Sequence, residues 1–467
     1  MSAHAGGRPT TITASTPHLL LLIALGAIPG LGWILGGAGP IGPLLSILLV
    51  AAVATGRNPV ERLTAALGYY ATGCWPIVGA VAGYWGTGHA GVGLMAWAAC
   101  SVALAVPWAL AAHWPSLLFA LAATALPPLG VIGWLSPLNA AGMLFPGMGW
   151  IGLALAIGTM LAMHSVLTGQ GHPGLFADIS RSMLLFAVIV AIGANALASP
   201  ASTPSGWVGV RTHILPSKGN ILRAIQNNQS IIDAGLAQGK GARVVIFPEA
   251  VLENWLPGTR QQFAEAVPPG QIWLIGCQAG RSDAIVAVTH GRANAIPIAK
   301  AAGLLLGGDW QPWNKDTLRP AWVQHAFTLR GNRVWVALCV EQVQPWTWLE
   351  ALWEKPGIIV AMSNAWWAPT GTAAPGIQKA SANTWARLMG LPIAWAVNRS
   401  RAGFQLPNRL QVNRGRPATD GHHFTDHLIT PGRRECDVYL WTISSRTDLR
   451  NLKRHRPSTE VFAASAM

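Results

Sequence analysis

From Leu19 to Ala198 the chain sets long apolar runs between short polar breaks. A helix needs about 17–25 mostly apolar residues to cross a bilayer. Runs of that order fall at 18–37, 40–56, 63–83, 91–111, 115–134, 146–164 and 182–199, which predicts seven membrane helices. The second run is short, and the fifth is interrupted by Pro127 and Pro128. Gly and Pro recur inside the runs, and membrane helices tolerate them because neighbouring helices satisfy the freed backbone groups. The first run has the length of a signal peptide, but the spans behind it favour an uncleaved helix.

Past a short Pro/Ser/Thr linker, 200–206, the period changes. Trp207–Ile214 is rich in strand-forming residues, and Ile221–Ala237 has helical spacing. Short apolar strands are predicted at Val244–Phe247, Ile272–Gly276, Ala284–Val288, Val334–Leu338, Ile358–Ala361 and Ile393–Val397, with a helix over Ile377–Met389. Buried strands alternating with helices indicate a layered α/β domain. The expected division is a transmembrane bundle over 1–199, the linker 200–206, an α/β domain over 207–445 and a basic tail over 446–467.

Composition supports two unlike halves. Charged residues are 11% of the chain and hydrophobic ones 51%, where a soluble domain carries about a quarter charged. Only Arg8, Arg57, Arg62 and Arg181 of the 32 bases, and Glu61 and Asp178 of the 18 acids, precede Trp207. With a cytoplasmic N-terminus and seven spans, those four bases all face the cytoplasm. The loops around Gly86–Ala90 and Ser136–Pro146 hold no Lys or Arg. The positive-inside rule then places the polar half outside, in the periplasm of a Gram-negative bacterium; six spans would reverse it. The five cysteines, Cys74, Cys100, Cys277, Cys339 and Cys436, form no CxxC pair, so neither a disulfide framework nor a metal site is expected.

Three polar residues stand where chemistry is readily placed. Glu249 follows the strand Val244–Phe247 and Pro248; Cys339 follows Val334–Leu338; Lys315 lies between them in a loop. A rigid sheet aims the residues at its strand ends into a crevice. A cysteine nucleophile needs a base for its proton and a cation for the thiolate and the developing oxyanion. Singly, each has a plainer reading: a packed core thiol, a surface acid, a solvated lysine.

Phe247-Pro248-Glu249, Lys315 and Cys339-Val340-Glu341, in that order, resemble the Glu–Lys–Cys signature of the nitrilase (carbon–nitrogen hydrolase) superfamily. The segment Lys315 to Pro320 is similar to the Lys-x-x-Leu-x-Pro of the apolipoprotein N-acyltransferase branch. Met362 to Trp367 resembles that branch's Ser-Asn-Asp-Ala-Trp-Phe block, and Gln378 and Trp385–Pro392 resemble further segments of it. The resemblance spans about 207–410 in motifs, and the branch also carries a membrane bundle. It implies an αββα sandwich and a cofactor-free thiol acyltransferase or amidase working through a thioester. Glu249 would be the base, Cys339 the nucleophile, and Lys315 with the Val340 N–H the oxyanion donors. Glu341 would orient Lys315 or the incoming nucleophile, and Trp313, Trp346, Asn364 and Trp366 would line the substrate site. Membrane phospholipid as acyl donor and a protein or peptide amine as acceptor follow from the same likeness. The two-part layout further resembles conjugal-transfer membrane proteins, which implies the conjugative transfer machinery as a partner. The rival expectation is a non-catalytic component of such an apparatus that retains the fold. Two departures point that way: Val340 replaces the branch's Tyr, and Pro320-Ala321-Trp322 replaces its Gly-Glu.

Of the 23 tryptophans, Trp255, Trp310, Trp313, Trp322, Trp346, Trp348, Trp353, Trp366 and Trp367 cluster in sequence around the proposed site. They are candidates for an apolar groove facing the bilayer, with ordinary packing as the alternative. The basic stretch from Arg433 to Arg456 reads as a solvated run or one drawn to anionic lipid headgroups. No nucleic-acid recognition motif accompanies it, and His422, His423 and His427 read as a polar loop.

Overall fold

The computed structural model describes residues 16–169, 175–301, 310–311, 313–315, 317–368 and 371–399. Arg8, Cys436, the basic stretch from Arg433, the tail 446–467 and His422, His423 and His427 lie outside them.

The apolar half is helical: α1 Thr16–Leu35, α2 Ile41–Leu45, α3 Leu48–Ala54, α4 Pro59–Gly73, α5 Pro76–Trp85, α6 Ala90–Ala109, α7 Trp114–Ala125, α8 Ala140–Leu144, α9 Gly149–Thr168 and α10 Leu175–Leu197. Among the described residues, four segments are long and apolar enough to cross a membrane: Thr16–Leu35, Thr87–Ala109, Gly149–Thr168 and Asp178–Leu197. The other three predicted runs are broken or short, each for a local reason. The second divides into α2 and α3, where the Ser46 hydroxyl turns back to donate to the Pro43 carbonyl at 2.6 Å. The third divides into α4 and α5 at Pro76, whose nitrogen has no proton to continue the ladder. The fifth, α7, spans 12 residues and ends before Pro127 and Pro128. Residue choice also sets the starts: Asn58 caps α4 by accepting from the Glu61 N–H at 3.0 Å, with Pro59 at the first helical position.

Residues 198–206 hold neither helix nor strand. Then follow β1 Trp207–Gly209, β2 Arg211–Thr212, α11 Ile221–Gln238, β3 Val244–Ile246, α12 Pro257–Ala266, β4 Ile272–Ala279, β5 Ser282–Thr289, β6 Arg292–Ala293, β7 Ala299–Lys300, β8 Phe327–Leu329, β9 Asn332–Leu338, α13 Pro345–Glu354, β10 Ile358–Ala365, α14 Ala374–Met389 and β11 Ile393–Arg399. They make two sheets. One runs β1-β3-β4-β5-β6, with β7 also on β5; the other runs β2-β11-β10-β9-β8. The first three strands of one sheet pair in parallel, as do β2, β11, β10 and β9 of the other, and antiparallel strands finish each sheet.

Strands buried on both faces explain the unbroken apolar runs in the sequence. Val244, Ile246 and Leu274 from one sheet meet Val336, Leu338, Val360 and Met362 from the other in a core between the sheets. The opposite face of the first sheet puts Val245, Phe247, Trp273 and Ile275 against Ile231 and Ile232 of α11 and Phe263 of α12. The outer face of the second sheet gives Trp335, Ala337 and Ile359 to α13 and α14. Helix, sheet, sheet, helix is an αββα arrangement.

The second helical layer does not end in water. Trp348 and Trp385, on α13 and α14, share one apolar cluster with Leu49, Tyr69, Trp108 and Phe145 of the bundle. Across this boundary the Ser381 hydroxyl donates to Asn139 Oδ1 at 2.9 Å, and Gln344 Nε2 donates to the Val131 carbonyl at 2.6 Å. Helix α8 lies so close to α14 that a Cβ on Gly142 would sit 1.8 Å from the Thr384 carbonyl oxygen. The bundle and the α/β half therefore pack as one body.

Candidate active site

The two sheets bring Glu249 and Cys339 together. Glu249 lies three residues beyond β3, near the middle of one sheet, and Cys339 immediately follows β9 in the other. Their carboxyl and thiol groups are hydrogen-bonded. Both residues are half-buried, within reach of solvent. The backbone is strained at this point: Cys339 has φ +35° and Ala250, next to Glu249, has φ +41°. Such conformations cost of order 1–3 kcal/mol and persist where the surroundings over-determine them. Gly276 of β4 is one cause, since a Cβ there would sit 2.3 Å from the Pro248 oxygen and 2.5 Å from Glu249 Cα. Only a residue without a side chain lets the base-bearing turn lie this close to the sheet.

Further groups converge on the thiol. The Asn364 backbone N–H donates to Cys339 from the end of β10, and Gln378 Nε2 of α14 donates to its Sγ at 3.8 Å. The Asn364 side chain is held from behind by Asn398 Nδ2 at 2.7 Å. Asp283 of β5 stands beside Glu249 and is hydrogen-bonded to it. Burial, with Cys339 and Asp283 adding negative potential, pushes the Glu249 carboxyl well above the usual carboxylate range. Burial also raises the Cys339 thiol, against the opposing pull of hydrogen bonds from Glu249, Asn364 and Gln378. Burial thus disfavours the charged form of both groups.

Of the expected supporting residues, Glu341 is 1% exposed and lies under the nucleophile turn. It accepts from the Leu338 N–H at 2.8 Å and from Gln324 Nε2. That placement braces the turn after β9. Lys315 is exposed, its carbonyl accepting from the Arg281 guanidinium. Among the described residues it makes no hydrogen bond or ion pair with Glu249 or Cys339. Val340 is half-buried at the start of the turn.

The expected substrate-site tryptophans separate. Trp346 of α13 is 5% exposed and joins Trp322 and Trp310 in a chain of rings with centroids 6.2 and 5.2 Å apart. Trp366, just past β10, rests against Tyr84 of α5 at 5.3 Å, on the membrane half. Trp313 is 71% exposed. Asp283 carried no signal in the sequence, since a lone Asp in an alternating strand is unremarkable; Gln378 was visible only through the family likeness.

No family model matches the chain. Two curated relatives do. The conjugal transfer protein TraB of Agrobacterium fabrum is 30% identical over 294 residues, 58% of this chain and 64% of that protein. The probable conjugal transfer protein TraB of Sinorhizobium fredii is 27% identical over 397 residues, 81% of this chain and 97% of that protein. The chain is similar to the TraB proteins of conjugal transfer. The match to the Agrobacterium TraB spans a little under two thirds of its length. Among solved structures, a mutant of an amidase of the nitrilase superfamily from Nesterenkonia AN1 overlaps 43% of this chain and 79% of its own, with a TM-score of 0.30 and 15% identity. The αββα assignment here rests on the layers of this chain itself.

Proposed function

We propose that this protein is a membrane-bound, cysteine-dependent acyltransferase or amidase that works through a thioester and serves conjugal transfer. The observation that carries the reading is the hydrogen-bonded Glu249–Cys339 pair at two strand ends, with strained backbone at each. Glu249 takes the Cys339 proton, and the sulfur attacks an ester or amide carbonyl carbon. The Val340 N–H and a cation hold the oxyanion. The intermediate collapses with cleavage of the carbon–oxygen or carbon–nitrogen bond, and Glu249 returns the proton to the leaving group. An amine or water then attacks the thioester, again with Glu249 as base, and the thiol is restored.

Glu249 acts from its carboxylate form, which burial disfavours, so a nearby positive charge is needed to hold the carboxylate and then the thiolate. The family likeness gives that role to Lys315, so the proposal requires its exposed side chain to reach the pair when a donor is bound. The polar half would lie on the periplasmic face of the inner membrane, with phospholipid as donor. Incubating the detergent-purified protein with phospholipid or an activated acyl ester and weighing it intact tests this. A mass increase of one acyl group, absent in Cys339→Ala, is expected.

The exposed Lys315 favours a second reading, a non-catalytic component of the conjugative apparatus that keeps the fold for assembly. No acyl adduct with any donor, together with intact plasmid transfer by Cys339→Ala, would establish it.

A further inference from the structure

A second chamber lies away from the Glu249–Cys339 pair, on another face of α14. It has a volume of about 910 Å³, within the size range of small-molecule sites, roughly 300–1,000 Å³. One wall is the end of α10, with Val190, Ala194 and Leu197; the opposite wall is α14, with Ala380, Thr384 and Arg387. Among the described residues, α10 is the least buried of the four helices long and apolar enough to cross a membrane. Leu185, Phe186, Ile189 and Ile192 all project from it exposed. The chamber therefore lies beside a helix that presents exposed apolar side chains.

Its lining is apolar save for a few polar groups, and Arg387 is the one charged side chain among the described residues that form it. A guanidinium has five N–H donors in a planar fork. One arm, Nη2, donates to Asn195 Oδ1 at 2.6 Å. Asn195 is itself fixed, its Nδ2 within 3.1 Å of the Met143 carbonyl, 3.0 Å of Leu144's and 2.9 Å of Ala191's. No described carboxylate lies within ion-pair reach of Arg387. An oriented arginine with no acid partner among the described residues, at the edge of an apolar chamber beside an exposed apolar helix, fits an anionic headgroup with acyl chains behind it.

We infer that this chamber binds an anionic phospholipid, the phosphate on Arg387 and an acyl chain between α10 and α14. The site is separate from the thioester chemistry and does not depend on it. The lipid would fill the space beside the Arg387–Asn195 hydrogen bond, between the end of α10 and α14.

Native mass spectrometry of the delipidated full chain in detergent tests this, titrating phosphatidylglycerol, phosphatidylcholine and inorganic phosphate in turn. Wild type is expected to retain phosphatidylglycerol at least about tenfold more tightly than phosphatidylcholine. Arg387→Gln should erase that preference. Ala194→Leu, which keeps the arginine and fills the chamber, should weaken retention of both lipids. Each variant is checked for an unchanged unfolding temperature; if Arg387→Gln unfolds, Ala194→Leu alone decides. Equal retention of the two lipids by wild type, or undiminished retention by Ala194→Leu, would overturn the inference. So would inorganic phosphate binding as tightly as the lipid, since the acyl chain would then contribute nothing.

Discussion

Gln378 donates its side-chain amide to the sulfur of Cys339 across 3.8 Å. This ties α14, the helix that packs on the membrane bundle, to the thiol that follows β9. A hydrogen bond to sulfur stabilises the thiolate more than the thiol. Gln378→Leu is therefore expected to raise the pH at which Cys339 reacts with iodoacetamide, with little change in unfolding temperature. Peptide mass spectrometry across a pH series reads the shift; an unchanged profile would make Gln378 a packing residue only.

Glu249→Gln and Cys339→Ala should each abolish acyl-adduct formation. Base and nucleophile act as a unit, so the double variant should be no worse than either single one. Intact mass after donor incubation measures all three. An adduct at the wild-type level in Glu249→Gln would remove the base.

The alkylation of Cys339 by itself has a sign fixed by its surroundings. Burial raises both the thiol and the carboxyl beside it. Below those raised values the pair is neutral and thiolate is scarce, so reaction in the resting protein should accelerate only above the ordinary thiol range of about 8.5. Cys277, buried and pushed up to about 12, serves as the unreactive internal control. Lys315→Met should leave this resting rate unchanged, because Lys315 is exposed, while reducing acyl transfer by about 10²–10³. A slower resting alkylation in Lys315→Met would place the lysine at the pair even without donor.

Gly276→Ala should displace the turn that carries Glu249. Its new methyl has backbone on the far side, 2.3 Å from the Pro248 oxygen, so nothing flexible can yield. Overpacking of this kind costs about 1–3 kcal/mol. Loss of activity with a lowered unfolding temperature in detergent is expected.

Alkaline phosphatase joined after Met467 should be active if the polar half is periplasmic. An inactive phosphatase, with an active cytoplasmic reporter at the same point, would reverse the topology.

Glu249 and Cys339 were legible because each ends a continuous apolar strand, a local pattern that survives folding. Lys315 was legible as a motif and not as a position, since no local rule says where a Trp/Asn/Asp loop lays its side chains. Asp283 and Gln378 reach the site through sheet order and helix packing, which only the tertiary structure supplies. The apolar runs marked membrane segments well, yet hydropathy does not register a serine turning back on a carbonyl or a proline without a proton. Hence α2 and α3, and α4 and α5, each read as one span.

The shared cluster that joins Trp348 and Trp385 to Tyr69, Trp108 and Phe145 also bears on how the chain is made. The bundle leaves the ribosome first and waits with part of its interior open. Helices α13 and α14, which begin 148 and 177 residues after α10 ends, complete that interior. The membrane half is thus a mould for the inner layer of the α/β half, and residues 207–399 expressed alone would carry a greasy, uncovered face into water. Attempts to obtain the α/β half as a soluble fragment by cutting at the linker run against this design; cuts elsewhere would have to take the bundle along.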